Sequence, residues 1–462
     1  MKTKLNTLSK FKKIGTTKLI IFSFLLVIFI GTILLSLPIS NTLKPMPILD
    51  NLFMATSATC VTGLTTFVVA EQYNIFGQII VLILIQIGGL GLMSFIAMFY
   101  LITKSKFGLF EKTIVKDATN ALDLSDIKSF IKLILKYTFI LETIGAILIF
   151  TQFMQDYSLL DAIFKSIFLS ISAFCNAGID TIGSSSLQGY TTNIIINYTV
   201  MFLIITGGLG FIVFADIKSN IIKGIENKYG LGKIKKKLLV QTKLVLVMTV
   251  LLLVIGTVSI FILEYNDSLK DYSLFDKITI SLFNSTTLRT AGFSTINYGI
   301  LHKATLIIMC LFMLIGGSPG GTAGGLKTTT FAILIIYFIA RIKGIEKANI
   351  FKREISIDTF FKATIVLSLY CFSIFIALIL LLVSDPSLDI VGIIFEIFSA
   401  IGTVGLSTGI TSLFSSFGKV VIIILMFIGR IGPISLTLVI FSKKGKGNIN
   451  ALEYPKADIL VG

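Results

Sequence analysis

The sequence predicts an all-α integral membrane protein of eight transmembrane helices, built as four tandem span–re-entrant helix–span repeats around one central pore. Three observations carry that prediction. Of the 462 residues 55% are hydrophobic and only 14% charged, where soluble domains hold about a quarter charged residues. Apolar stretches of spanning length recur along the whole chain. Four glycine-bearing turns lie between pairs of those stretches at nearly equal intervals. Their glycines, Gly63, Gly178, Gly292 and Gly405, stand 115, 114 and 113 positions apart (178 − 63, 292 − 178 and 405 − 292), as a repeated unit requires.

The spans come first. A helix needs about 20 apolar residues to cross a bilayer. Segments 19–37, 76–101, 137–153 with its flanks, 194–214, 244–263, 363–383 and 420–441 qualify. Segment 304–340 is also apolar, but its 37 residues as one straight helix would extend roughly 55 Å against a hydrocarbon core of about 30 Å. Its clustered glycines mark where it breaks or folds back. The Lys-rich N-terminus resembles a secretory signal, yet the following apolar stretch is too long for one and reads as a retained first helix.

Charge sets the sidedness. Lysine and arginine outnumber aspartate and glutamate by 40 to 24, a net +16. Here that excess lies between spans, so it reports topology and not nucleic-acid binding. Connection 216–243 holds eight lysines and two acids, whereas 264–277 holds four acids and two lysines. Every second connection is basic, which places these connections and both termini in the cytoplasm. The four cysteines form no CxxC pair, and His302 is the single histidine. A zinc site and a disulfide framework are therefore not expected, no HExxH motif is present, and the chain does not read as an enzyme.

The repeats divide the chain at 1–105, 106–220, 221–343 and 344–462. In each, a short segment beginning near Asp50, Asp161, Asp276 or Asp389 leads into a turn. The turns read Val61-Thr62-Gly63-Leu64, Asn176-Ala177-Gly178-Ile179, Thr290-Ala291-Gly292-Phe293 and Thr403-Val404-Gly405-Leu406. Non-helical backbone at membrane depth survives only when buried in protein or lining a wet cavity. Four such turns can surround one axis and present rings of carbonyl oxygen that replace an ion's hydration shell. Glycine supplies the positive φ that turns carbonyls inward. The helices' C-terminal ends would face the axis, which favours a cation. The four aspartates are expected to cap the short helices. Asp180 reads equally well as a cation attractor at the mouth or as a local cap.

The spans after each turn align as well, with Gly88-Gly89, Gly207-Gly208, Gly316-Gly317 and Gly429-Arg430. Their glycines suit close helix packing in lipid. Arg430 replaces one of them within an apolar span, where an arginine faces a cavity or a partner. A gate element or a carboxylate such as Glu142 is the expected partner. The third repeat carries Gly316-Gly317-Ser318-Pro319-Gly320-Gly321-Thr322-Ala323-Gly324-Gly325-Leu326-Lys327. A nucleotide P-loop would need Gly-Lys-Ser/Thr after its spacer and a preceding strand, and this stretch has neither. It reads as a mobile intramembrane loop beneath the turns.

With these residues assembled, the Thr403-Val404-Gly405-Leu406-Ser407 turn resembles a potassium-channel filter. The four-fold plan resembles the Trk/Ktr/HKT superfamily of potassium transporters over roughly residues 19–444. The short stretch before the first span favours the Ktr branch and its translocating subunit. The resemblance implies potassium as substrate, with sodium possible, at backbone carbonyls of the four turns. It assigns the 316–325 loop with Lys327 and Arg430 to a gate. It implies no cofactor on this chain, a homodimer in the bacterial cytoplasmic membrane, and a cytosolic KtrA-like nucleotide-binding regulatory ring carrying NAD or ATP/ADP. Segments 223–243 and 443–446 are where that ring, or anionic lipid, would dock. Departures from a strict channel filter bear on selectivity: only the fourth turn reads Thr-Val-Gly. A TrkH-type proton- or sodium-linked transporter and an alternating-access cation symporter are the alternative classes.

Overall fold

The computed structural model describes residues 16–91, 127–226 and 238–433. The basic stretches before residue 16, between 92 and 126, from 227 to 237 and beyond 433, including 443–446, lie outside the described residues.

One pattern of helices recurs four times. In the first quarter α1 (Thr16–Ser36) is followed by short α2 (Ile48–Cys60) and α3 (Ile75–Leu90). The second holds α4 (Ile127–Phe153), short α5 (Leu159–Cys175), α6 (Ile194–Leu209) and α7 (Phe211–Glu226). The third holds α8 (Val240–Glu264), short α9 (Leu274–Thr287), α10 (Lys303–Leu314) and α11 (Thr328–Ile342). The fourth holds α12 (Ile357–Ser384), short α13 (Ile390–Gly402) and α14 (Ser416–Ile431). A two-residue β-hairpin, β1 (Asn349–Ile350) with β2 (Arg353–Glu354), links α11 to α12.

Local chemistry starts and stops these helices. Asn74, Ser158, Asn193, Ser273, Ser356, Asp389 and Ser415 each cap a helix N-terminus with a side-chain oxygen. Helices α3, α6 and α14 all end at a glycine in positive φ: Gly91 at 78°, Gly210 at 93° and Gly432 at 88°. The expectation of one continuous span over 194–214 is corrected here. The chain bends by 91° between α6 and α7. The bend is stable because the Phe211 amide, which has no helical partner there, donates to Gly320 O at 3.0 Å. Segment 304–340 breaks, as its length requires, between Leu314 and Thr328. Among the described residues, three helices are long and apolar enough to cross a membrane: Ser129–Phe153, Val240–Glu264 and Ile357–Ser384. Bent α6–α7 makes a fourth if counted as one span, and Ile20–Ser36, Ile75–Leu90, Lys303–Leu314 and Thr328–Ile342 are shorter apolar helices.

The short helices form the core, and the long ones enclose them. Phe53, Phe168, Phe283 and Phe395 are fully buried, while Phe22, Phe139, Phe372 and Phe375 face outward. An exterior as apolar as the interior is what a bilayer solvates. Packing here depends on close approach, because lipid gives no hydrophobic drive for helix association. Gly88, Gly207 and Gly429 lie against the carbonyls of Thr59, Phe174 and Ile401, where no side chain would fit. These carbonyls belong to the last turn of the same quarter's short helix. Between quarters, α3 packs on α5, α6 on α9, α10 on α13, and α14 returns to α2. The chain therefore closes into a ring. A largely buried ion pair, Lys419 Nζ to Asp50 Oδ1 at 2.7 Å, fastens the closing contact.

Candidate functional site

The four turns meet on one axis. The residue two before each glycine is left-handed: Val61 at φ 57°, Asn176 at 61°, Thr290 at 71° and Thr403 at 51°. For β-branched Val61, Thr290 and Thr403 this backbone is a true outlier, held only because the surroundings over-determine it. The glycines follow at φ 101°, 65°, 77° and 92°.

Their mutual placement is cyclic. A methyl group added to Gly63 would lie 2.7 Å from Ala177 O, one on Gly178 2.6 Å from Ala291 O, and one on Gly292 2.6 Å from Val404 O. One on Gly405 would strike Thr62 O. Each glycine thus abuts the carbonyl just before the next quarter's glycine, and the fourth turn returns to the first. Among the described residues no donor reaches the carbonyl oxygens of Thr62, Ala177, Ala291 or Val404. The hydroxyls of Thr62, Thr290 and Thr403 are buried without a partner as well. The ring therefore concentrates oxygen with unused lone pairs. A mouth of about 490 Å³ opens above it, lined in part by Asp180, Ser294, Ser407 and Thr411.

Hydroxyls on the short helices pin three of the turns at one register. Ser57 Oγ accepts from Gly63 N at 3.1 Å, and Ser399 Oγ from Gly405 N at 3.0 Å. Ser172 Oγ accepts from Ile179 N at 3.2 Å and donates to Ile179 O at 2.6 Å. These serines stand six positions before their glycines. In the third turn Thr287, five before, donates to Phe293 O at 2.8 Å. Sequence reasoning missed this set, although the recurring serine was a readable signal.

Beneath the ring lies the glycine-rich loop. Its ends meet where Gly316 N donates to Leu326 O at 2.9 Å and Leu326 N to Leu314 O at 3.1 Å. Ser318 N and Thr322 N donate to Gly208 O and Gly207 O on α6 at 2.9 and 3.2 Å, and Gly325 N to Gly429 O on α14 at 3.3 Å. Thr322 Oγ1 donates to Phe174 O at 3.1 Å, just below the second turn. Gly324 presses on the Thr403 side chain below the fourth. Lys327 Nζ folds back onto Ala323 O at 2.8 Å. Ser318, Thr322, Ala323 and Leu326 are fully buried, so the loop is packed across the underside of the ring.

Arg430 bridges this loop to the wall. Its guanidinium donates to Thr322 O and to Gly88 O, with a longer contact to Gly89 O at 3.4 Å. Of the two expected partners, the structure gives Arg430 the glycine-rich loop and not Glu142, which accepts from Gln86 Nε2 at 3.1 Å. Glu142 is tied to the second quarter, since Ser170 Oγ donates to its carbonyl at 2.6 Å.

The capping expectation is corrected in three of four places. Only Asp389 is a true N-cap, accepting from Gly392 N at 3.1 Å. Asp161 and Asp276 occupy the third helical position and bond back to the caps Ser158 and Ser273 at 2.7 and 2.6 Å. Asp50 serves the Lys419 ion pair. Asp180 accepts from Ile182 N at 3.0 Å, a local turn cap on the wall of the mouth. Cys60 and Cys175 are buried free thiols packed beside the turns.

A helical membrane chain closed around a ring of inward-turned loops defines a polytopic protein of the ion-translocating class. Comparison with known proteins makes that specific. Residues 7–451 match the TrkH family of cation transport proteins, and the chain belongs to that family. It is 35% identical over 455 residues to the Ktr system potassium uptake protein B of Bacillus subtilis, covering 98% of each chain. It is 37% identical over 456 residues to the potassium/sodium uptake protein NtpJ of Enterococcus hirae, again covering 98% of each. The fold matches the crystal structure of the potassium transporter TrkH from Vibrio parahaemolyticus with a TM-score of 0.70. That match has 17% identity and covers 91% of this chain and 85% of that one. These relatives are transporters and not enzymes.

Proposed function

We propose that the chain takes up potassium across the cytoplasmic membrane through a selectivity filter formed by the four turns. One observation carries this reading above the others: the cyclic abutment of Gly63, Gly178, Gly292 and Gly405 on the carbonyls of the neighbouring turns. Four oxygens that no donor among the described residues reaches are costly at membrane depth unless an ion or water meets them. A dehydrated monovalent cation on the axis would satisfy all four together. The names of the Bacillus and Enterococcus relatives support potassium, the latter with sodium.

In this reading the four quarters are four repeats, bounded near 105, 220 and 343, with eight crossings and both termini in the cytoplasm. The 316–325 loop, Lys327 and Arg430 form the gate. The loop closes the path below the ring, and its withdrawal needs the Arg430 bonds to Thr322 O and Gly88 O to part. A homodimer controlled by a cytosolic nucleotide-binding ring completes the assembly. The name Ktr system, printed for the Bacillus relative, supports a multi-subunit arrangement.

The test is influx into vesicles carrying the purified full-length chain, measured with rubidium as a potassium tracer and with sodium. Wild type is expected to favour potassium. Gly63→Ala, Gly178→Ala, Gly292→Ala and Gly405→Ala each place a methyl group against a ring carbonyl in a backbone region that disfavours it. Each is expected to raise the potassium KM about tenfold, equivalent to roughly 1.4 kcal/mol of lost binding. Unchanged KM in all four variants would overturn the filter assignment.

A further inference from the structure

The fourth quarter differs from the others behind its turn. Helix α13 places Glu396 nine positions before Gly405, with no exposed surface. The equivalent positions before Gly63, Gly178 and Gly292 hold Met54, Leu169 and Phe283, all buried and apolar. One acid therefore interrupts an otherwise apolar register, and a buried carboxylate needs donors. It has them. Ser407 Oγ, two residues past the turn glycine, donates to Glu396 Oε1. Thr411 Oγ1 lies 3.0 Å from both carboxylate oxygens and 2.8 Å from Ser407 Oγ. Gly409 N donates to Ser407 Oγ at 2.9 Å. Ser407 and Thr411 line the mouth above the ring. Among the described residues Glu396 forms no ion pair. The third quarter braces its turn by a neutral contact, Tyr298 Oη to Asn284 Oδ1 at 2.5 Å. Among the described residues, a carboxylate on the short helix nine positions before the turn glycine occurs in the fourth quarter only.

We infer that Glu396 is a positioning residue that holds the exit of the fourth turn rigid through Ser407 and Thr411, and so sets the discrimination between potassium and sodium. The inference rests on the filter reading. A turn gripped from behind cannot close onto a smaller ion, so sodium in the ring is left with over-long oxygen contacts while potassium is not. Charge-assisted bonds are the stronger class of hydrogen bond, which suits them to stiffening one wall of a four-walled site. Glu396 does not touch the ion in this account. It acts through the two hydroxyls and the backbone they carry.

The experiment compares full-length wild type, Glu396→Gln, Glu396→Leu, Thr411→Val and Gly405→Ala in vesicles, reading the sodium-to-potassium KM ratio and kcat for each ion. Glu396→Leu and Thr411→Val should each lower the ratio about tenfold, the low end for losing a hydrogen bond to a charged group, with kcat for potassium within about threefold of wild type. A double variant carrying Glu396→Leu and Thr411→Val should be no worse than the more severe single one, because both cut the same brace. Glu396→Gln, which retains one acceptor, should fall between. Thr411→Val removes one hydroxyl at nearly constant volume, so it decides the matter if Glu396→Leu does not fold. An unchanged ratio in Thr411→Val and Glu396→Gln, with a reduced ratio in Gly405→Ala, would overturn the positioning role and leave the filter standing. An unchanged ratio in Gly405→Ala as well would sink the filter reading itself.

Discussion

Removing the guanidinium of Arg430 is expected to leave the path below the ring open. Arg430 joins two elements, the loop at Thr322 O and helix α3 at Gly88 O. A hydrogen bond to a charged donor contributes about 1.5–3 kcal/mol net. Two such bonds at the lower end give about 3 kcal/mol, roughly a hundredfold bias toward the closed arrangement. Arg430→Ala should therefore raise basal rubidium influx into vesicles by one to two orders of magnitude in the absence of any cytosolic partner. Removing a positive charge from the path would also help a cation pass, so a second variant separates the causes. Arg430→Lys keeps the charge but has no planar fork to reach both carbonyls. It should raise basal influx as well, to a lesser degree. Wild-type influx in Arg430→Lys, with a rise only in Arg430→Ala, would refute bracing and leave an electrostatic barrier in its place.

Other consequences follow from the same contacts. Breaking the largely buried Lys419–Asp50 pair by Lys419→Met should destabilise the detergent-solubilised protein by about 3 kcal/mol. Adding Asp50→Asn should recover part of that loss, and thermal denaturation of the two variants reads it. His302 sits in an exposed connection, where its hydrogen bond and attraction to Asp267 hold its pKa above the usual 6.5. A raised folded-state pKa gives stability that is complete below the unfolded value and lost as pH rises through the folded one. Wild type should accordingly lose a small increment of thermal stability as pH rises above about 6.5, and His302→Asn should lack that slope. Gly324→Val would drive a branched side chain into Thr403. It should displace the loop and raise basal influx, so a rate at or below wild type would count against the loop as the obstruction.

Much of this site was readable in the chain. The glycine register located all four turns, and the residues two positions earlier, Val61, Asn176, Thr290 and Thr403, proved to be left-handed. The length of 304–340 required a break, and Arg430 stood out against a glycine register. What was not readable has physical reasons. Arg430 bonds backbone carbonyls, and an acceptor every residue carries leaves no mark in the sequence. Of its two expected partners, the loop is the one Arg430 meets, while Gln86 on α3 occupies Glu142. The break at Gly210 depends on Gly320 arriving from more than a hundred residues away, and a single glycine in an apolar run does not announce that. The capping serines Ser158 and Ser273, by contrast, stood three residues before an acid in a recognised helix-start pattern. Expecting the aspartates themselves to cap overlooked it. Glu396 escaped notice because its meaning appears only when four short helices are superimposed.

Ion density within the ring tests the account most directly. The full-length protein, its structure determined in rubidium or thallium and again in lithium, should show the heavier ion on the axis. That ion should be bounded by the carbonyl oxygens of Thr62, Ala177, Ala291 and Val404, with no equivalent density in lithium. Heavy-ion density absent from the axis, or found only outside the ring of Gly63, Gly178, Gly292 and Gly405, would contradict it.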